Sequence, residues 1–110
     1  MKTILKDRIE YRNKSKQLHR TNGPAIEYEN GNKYWYVEDE LHRLDGPALE
    51  FSDGTKEWWV DGKLHRLDGP AIERSNGDKY WYVEGKEYSE TEFMHKFHTI
   101  KKPEYLKNSQ

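Results

Sequence analysis

Three histidines recur in one context at a fixed interval. They stand in Leu18-His19-Arg20, Leu41-His42-Arg43 and Leu64-His65-Arg66. The second and third copies continue identically as Leu-Asp-Gly-Pro-Ala, and the first as Thr21-Asn22-Gly23-Pro24-Ala25. The copies start at 18, 41 and 64, a period of 23 residues without insertion. Histidine beside arginine and aspartate is the raw material for metal ligation, proton transfer or anion binding. Each of those chemistries depends on whether the copies converge on one point.

Spacing argues that they do not. If each copy contributes two strands, equivalent residues lie about 9–10 Å apart. Ligands of one zinc all lie about 2 Å from the metal, so the three histidines cannot share an ion and no metal site is expected. Their expected role is structural: a ring packed at a turn, with one nitrogen bonded to a backbone carbonyl. His95 and His98 have helical i,i+3 spacing but no third ligand, and read as a solvated helix face. His-Arg-x-Asp echoes part of the protein-kinase catalytic loop. Here it occurs twice, in a short chain with no Gly-rich phosphate loop. No serine or cysteine nucleophile has a recognisable context, so neither catalytic residues nor a cofactor are expected.

Arginine carries the more open question. Arg20, Arg43 and Arg66 could form an ion-pair ladder with Glu27, Glu50 and Glu73, or with Asp45 and Asp68. Alternatively Arg43 and Arg66, beside Trp or Tyr columns, could grip phosphates while the rings stack a base. Positions where the copies disagree are candidates for partner contact: Arg74 against Tyr28 and Phe51, Glu57 against Tyr34 and Tyr80, and Trp59 against Tyr36 and Tyr82. With Trp58, these make a candidate surface of Arg43, Arg66, Arg74, Glu57, Trp58, Trp59, Tyr36 and Tyr82. Drift at exposed positions would produce the same differences.

The elements that must hold these residues are hairpins. Residues 34–56 and 57–79 are identical at 14 of 23 positions, so each copy is one supersecondary unit that cannot bury its face alone. Asn30-Gly31, Asp53-Gly54 and Asn76-Gly77 are tight-turn signals between strand-like runs. A second turn falls at Asp61-Gly62 and Glu84-Gly85. The first copy has Asp39-Glu40 there, without glycine, and a different turn type is expected. The Asp-Gly-Pro corner is expected to set the bend into the next strand. Alternation puts Ile26, Leu49 and Ile72 on one face and Glu27, Glu50 and Glu73 on the other. It likewise separates Trp35, Trp58 and Trp81 from Tyr36, Trp59 and Tyr82. Residues 1–17 read as a degenerate N-terminal cap, with Tyr11 in frame with Tyr34 and Tyr80. Ser89-Glu90-Thr91-Glu92 is a capping box, and Phe93, Met94, Phe97 and Ile100 form an apolar stripe. A helix over 89–102, ended by Pro103, is expected to cover the last sheet edge, with 103–110 a frayed tail.

Composition fits a thin-cored fold. Charged residues outnumber hydrophobic ones, 35% against 33%, yet aromatics reach 14% with four Trp and eight Tyr, which disordered chains lack. A net charge of −1 gives no bulk attraction to nucleic acid or to an anionic membrane. There is no cysteine, signal-peptide pattern or membrane span, and a cytoplasmic location is the expectation.

The 23-residue period, the Gly-turn hairpin and the block Asp53-Gly54-Thr55-Lys56-Glu57-Trp58-Trp59-Val60-Asp61-Gly62-Lys63 resemble the MORN repeat. The His-Arg-x-Asp-Gly-Pro-Ala element and the ending Gly85–Phe93 look more like the MORN-variant proteins of tailed bacteriophages. The resemblance covers residues 11–93. It implies a single-layer antiparallel sheet of stacked hairpins that acts as an interaction or membrane platform without catalysis. Asp-Gly-Pro-Ala stands where that family has Gly-x-Gly, and the basic excess behind lipid binding is missing. The expectation is therefore an all-β single domain of seven or eight strands in meander order, with one C-terminal helix. The expected function is a non-enzymatic phage accessory protein, in the host cytoplasm, that binds and inhibits a host defence protein. A nucleotide-sequestering sponge is the alternative, and a hydrolase ranks last. A homodimer is expected to cover the apolar-aromatic face.

Overall fold

The computed structural model describes residues 1–98, so the expectations for Ile100, Pro103 and the tail lie outside the described residues. The chain is an all-β hairpin meander with a short C-terminal helix, an elongated slab of 59 × 31 × 23 Å. Nine strands form the main antiparallel sheet: β1 (Lys2–Ile4), β2 (Arg8–Tyr11), β3 (Ile26–Tyr28), β4 (Lys33–Tyr34), β7 (Leu49–Glu50), β8 (Lys56–Glu57), β11 (Ile72–Glu73), β12 (Lys79–Val83) and β13 (Lys86–Tyr88). Two further hairpins stand beside it, β5 (Tyr36–Val37) with β6 (Glu40–Leu41), and β9 (Trp59–Val60) with β10 (Lys63–Leu64). The described residues thus hold 13 short strands, more than the seven or eight expected. Strand pairing is interrupted at Trp35 and Trp58, so each of those aromatic blocks divides between the main sheet and a side hairpin; β12 alone runs through both.

Register follows the alternation read from the sequence. Ile26 faces Tyr34, Tyr34 faces Leu49, Leu49 faces Glu57, Glu57 faces Ile72, and Ile72 faces Tyr80. The opposite face carries an unbroken Glu27, Lys33, Glu50, Lys56, Glu73, Lys79 column. Opposite charges directly across antiparallel strands favour this register over a one-residue slip. Among the described residues the buried apolar ones are Ala25, Ile26, Ala48, Leu49, Ala71, Ile72 and Phe93.

Two turns depart from expectation. Glu38 and Asp39 have φ of 50° and 68°, against 51° and 76° at Asp61 and Gly62 and 51° and 83° at Glu84 and Gly85. All three turns share one left-handed geometry, so the first copy does not change turn type. Aspartate tolerates positive φ better than most residues, and the Asp39 carboxylate accepts the Leu18 N–H at 2.7 Å. At the corners, Gly23, Gly46 and Gly69 are absent from the positive-φ residues, so glycine there does not serve the bend.

The ends are capped differently. At the start, the Tyr11 N–H donates to the Ala25 carbonyl, as Trp35 does to Ala48 and Trp58 to Ala71. The His19 N–H donates to the Tyr11 carbonyl, as His42 does to Trp35. Tyr11 therefore occupies the tryptophan position, not that of Tyr34. Its turn holds one residue more, Arg12 to Leu18 against Tyr36 to Leu41. At the other end, α1 (Glu90–Phe93) starts on the Ser89–Glu92 capping box and continues as π-helical turns over Met94–His98. Phe93 is fully buried, 6.5 Å from the Trp81 ring and 5.5 Å from Phe97. Replacing Phe93 by Ala should cost about 3–5 kcal/mol, measured as a lowered urea midpoint; a loss below about 1 kcal/mol would show that the helix does not hold the last repeat.

Candidate interaction surface

Each corner arginine sits in the same nest of contacts. The Arg43 guanidinium lies 3.9 Å from the centre of the Trp35 ring, Arg66 lies 3.7 Å from Trp58, and Arg20 lies 3.8 Å from Tyr11. Arg43 Nε donates to Asp45 at 2.9 Å, and Nη1 donates to the Pro47 carbonyl and to Glu50, each at 3.0 Å. Arg66 repeats this on Asp68, Pro70 and Glu73, and Arg20 on Asn22, Pro24 and Glu27. The two ion-pair readings thus hold at once: one carboxylate comes from the corner and the other from the next strand. Arg43 holds the Asp45 carboxyl below its ordinary pKa, by hydrogen bond first and charge second.

Glycine completes the nest. A Cβ on Gly46 would stand 2.9 Å from the Arg43 guanidinium carbon, one on Gly69 2.9 Å from that of Arg66, and one on Gly23 3.0 Å from that of Arg20. The missing side chain is the space in which the arginine lies flat.

The histidines join neighbouring repeats. Nδ1 of His19, His42 and His65 accepts the backbone N–H of Glu38, Asp61 and Glu84 at 3.0–3.1 Å. The ring accepts from an N–H where donation to a carbonyl was expected, and at His42 the same Nδ1 also lies 3.2 Å from the Asp61 carboxylate. Each bond fixes a left-handed turn of the next unit.

Between successive corners runs a cleft that occurs twice. The first, about 670 Å³, is floored by Trp35 and Val37 between the corners of Arg20 and Arg43. The second, about 530 Å³, is floored by Trp58 and Val60 between those of Arg43 and Arg66. Leu44 and Leu67 stand on the ridges, 80% and 44% exposed. Leu44 has Thr21 as its counterpart in the first copy, and it lines both clefts. These leucines were not singled out from the sequence, although an apolar residue between Arg and Asp in an exposed corner was the available signal.

The fold divides the eight candidate residues between two faces. Arg43, Arg66 and Trp58 line the clefts. Tyr36, Glu57, Trp59, Arg74 and Tyr82 lie on the opposite face, with the Ile26, Leu49, Ile72 column. There the differences between copies have intramolecular partners. Trp59 Nε1 donates to Glu57 at 2.9 Å, Arg74 lies 5.6 Å from the Tyr80 ring, and Tyr34 packs edge-on against Tyr28 and Phe51. Burial raises the Tyr36 and Tyr28 hydroxyl pKa values. At the first position of this series stands Glu10, 8% exposed, bonded by Arg8 at 2.7 Å and Arg12 at 3.0 Å.

No protein-family model, curated protein or solved structure matches the chain.

Two measurements test these contacts. Gly46→Ala should cost about 1–3 kcal/mol in wild type by pushing Arg43 off Trp35, and much less in an Arg43→Ala background; equal costs in both would separate glycine from arginine. For Glu10, the hydrogen bond from Arg8 is the largest cause of a lowered pKa, opposed by burial and aided by Arg12. Ionised Glu10 therefore stabilises the fold above its unfolded pKa, and that contribution fades as pH falls towards the folded value. Glu10→Gln should be about 1–3 kcal/mol less stable than wild type at neutral pH, and the gap should close in acid. A gap that stays constant from neutral to acid pH would exclude the Arg8–Glu10–Arg12 linkage.

Proposed function

We propose that the chain is a non-enzymatic binding module, an accessory protein that binds and blocks a host protein. The observation that supports this reading is the repeated cleft. A catalytic centre needs one constellation of groups, whereas the same floor of tryptophan and valine between arginine corners is offered twice along the slab. Repeat arrays present their partners with such an extended, periodic surface. The host as partner rests on the likeness of the His-Arg-x-Asp-Gly-Pro-Ala corner and the Gly85–Phe93 ending to phage MORN-variant proteins, which is analogy between sequences.

A nucleotide sponge built on Arg43 and Arg66 draws less support. Each of these guanidinium groups already lies against an indole and donates through Nε and Nη1 to two carboxylates, which leaves a phosphate only Nη2, beside two negative charges.

Immobilised protein should retain a defined protein from bacterial lysate in stoichiometric amount, and a panel of nucleotides should leave its thermal midpoint unmoved. A ligand at a hundred times its Kd adds about 2.7 kcal/mol, a clear shift in a domain of this size. A nucleotide shift of that order with no protein retained would replace the module by the sponge.

A further inference from the structure

We propose that the open sheet edge at β1 is completed by a second copy of the chain. The two β1 strands pair antiparallel about a two-fold axis at Thr3, and the two slabs join into one continuous sheet. The second copy then sits at the end of the sheet, apart from the clefts and from the aromatic face.

The two ends of the sheet are unlike. β13 ends it on one side, and there Phe97 of the helical segment packs edge-on against Tyr88, 5.2 Å between ring centres. β1 ends it on the other, and among the described residues it pairs with β2 alone. The Arg12 N–H donates to the Met1 carbonyl and the Leu5 N–H to the Arg8 carbonyl. Bonded pairs alternate with non-bonded ones along an antiparallel ladder. The N–H and C=O groups of Lys2 and Ile4 therefore point outward, away from β2. Such an unpaired row is a template for another strand.

Sheet edges are commonly guarded by charge. Here the charged Glu27 to Lys79 column runs out before the edge, since Glu27 faces Ile9 and Ile9 faces Ile4. Met1, Ile4 and Leu5 are all exposed, Ile4 to 73%.

Register selects a second copy as the occupant. Outward-pointing residues must face outward-pointing residues, so a two-fold axis within the strand can pass through Lys2, Thr3 or Ile4. Centred on Lys2, lysine faces lysine. Centred on Ile4, Lys2 faces the partner's Lys6. Like charges directly opposite are destabilising. Centred on Thr3, Lys2 faces the partner's Ile4, its alkyl stem covering that side chain while the ammonium stays in water. Met1 then faces the partner's Leu5, so the exposed apolar side chains cover one another. Threonine meets threonine on the axis, a cross-strand pair that favours association. The edge is thus complementary to itself in one register. An isologous contact of this kind closes after two copies and leaves the helix-capped ends outermost.

The full chain is followed by sedimentation velocity over a concentration series, and a concentration-dependent dimer is expected. Ile4→Lys sets lysine opposite the partner's Lys2 and should weaken the dimer at least about tenfold. Ile4→Glu sets opposite charges there and should leave it as tight or tighter. Both substitutions fall on an exposed side chain, and the thermal midpoint should stay in place. The chain has no cysteine, so Thr3→Cys gives a clean crosslinking probe. The Cα atoms of a non-bonded antiparallel pair lie about 4.5 Å apart, within disulfide reach. Under mild oxidation the Thr3→Cys chain should become a covalent dimer at least about tenfold faster than a Leu44→Cys chain, whatever the Ile4 variants do to folding. A monomer up to about 1 mM, equal weakening by both Ile4 variants, or equal crosslinking at the two cysteine positions overturns the proposal. If the chain stays monomeric and retains a lysate protein that Ile4→Lys releases, the edge takes a foreign strand. The dimer is then lost and the binding-module reading stands.

Discussion

A flat arginine held between an aromatic ring and a glycine is the contact on which this fold depends. Each repeat buries one alanine and one Ile or Leu, too little apolar surface to stabilise an ordinary core. The layers of Tyr11 with Arg20, Trp35 with Arg43, and Trp58 with Arg66 supply what is missing. A guanidinium on an indole contributes about 0.5–2 kcal/mol, more as water is excluded. Its bonds to carboxylates add to that because they are charge-assisted. The group joins three parts of a unit: the ring belongs to the incoming strand, the aspartate (asparagine in the first copy) to the corner and the glutamate to the outgoing strand. Gly-Pro-Ala follows from the same geometry, since glycine makes room, the proline carbonyl accepts, and alanine packs beneath.

Such a layer leaves its ends unsatisfied, and the two ends solve this differently. The first layer is entered by a turn with one extra residue, which moves Tyr11 into the tryptophan position. At the far end the residue 23 places after Arg66 is Ser89, which has no guanidinium to lay on Trp81. The helix that Ser89 caps brings Phe93 over that ring instead. Terminal units of repeat arrays need an altered outer face, and here a phenyl ring stands in for a cation.

The two faces have different logic. On the cleft face the repeats are nearly identical, because each must rebuild the same nest. On the other face they differ, but in matched pairs: Glu10 with Arg12, Glu57 with Trp59, and Arg74 with Tyr80. Differences between copies therefore mark alternative ways of satisfying one strand position as much as they mark contact with a partner.

The sequence by itself determined the repeat, the hairpins, the face each strand residue occupies and the capped helix. All of these rest on local signals: a fixed period, turn residues with positive φ, and alternation. Strand spacing alone argued against a shared histidine site. Only the tertiary structure decided what the conserved-looking corner does, because its contacts cross between strands and between repeats. Arginine on indole, histidine on the next turn, and glycine as empty space are relations between residues whose distances the chain order does not encode. The one-residue offset at Tyr11 was hidden for the same reason: a frame counted along the chain cannot see which carbonyl an N–H finds across the sheet. The twin clefts arose there too, as the gaps left when flat layers stack at the spacing of two strands.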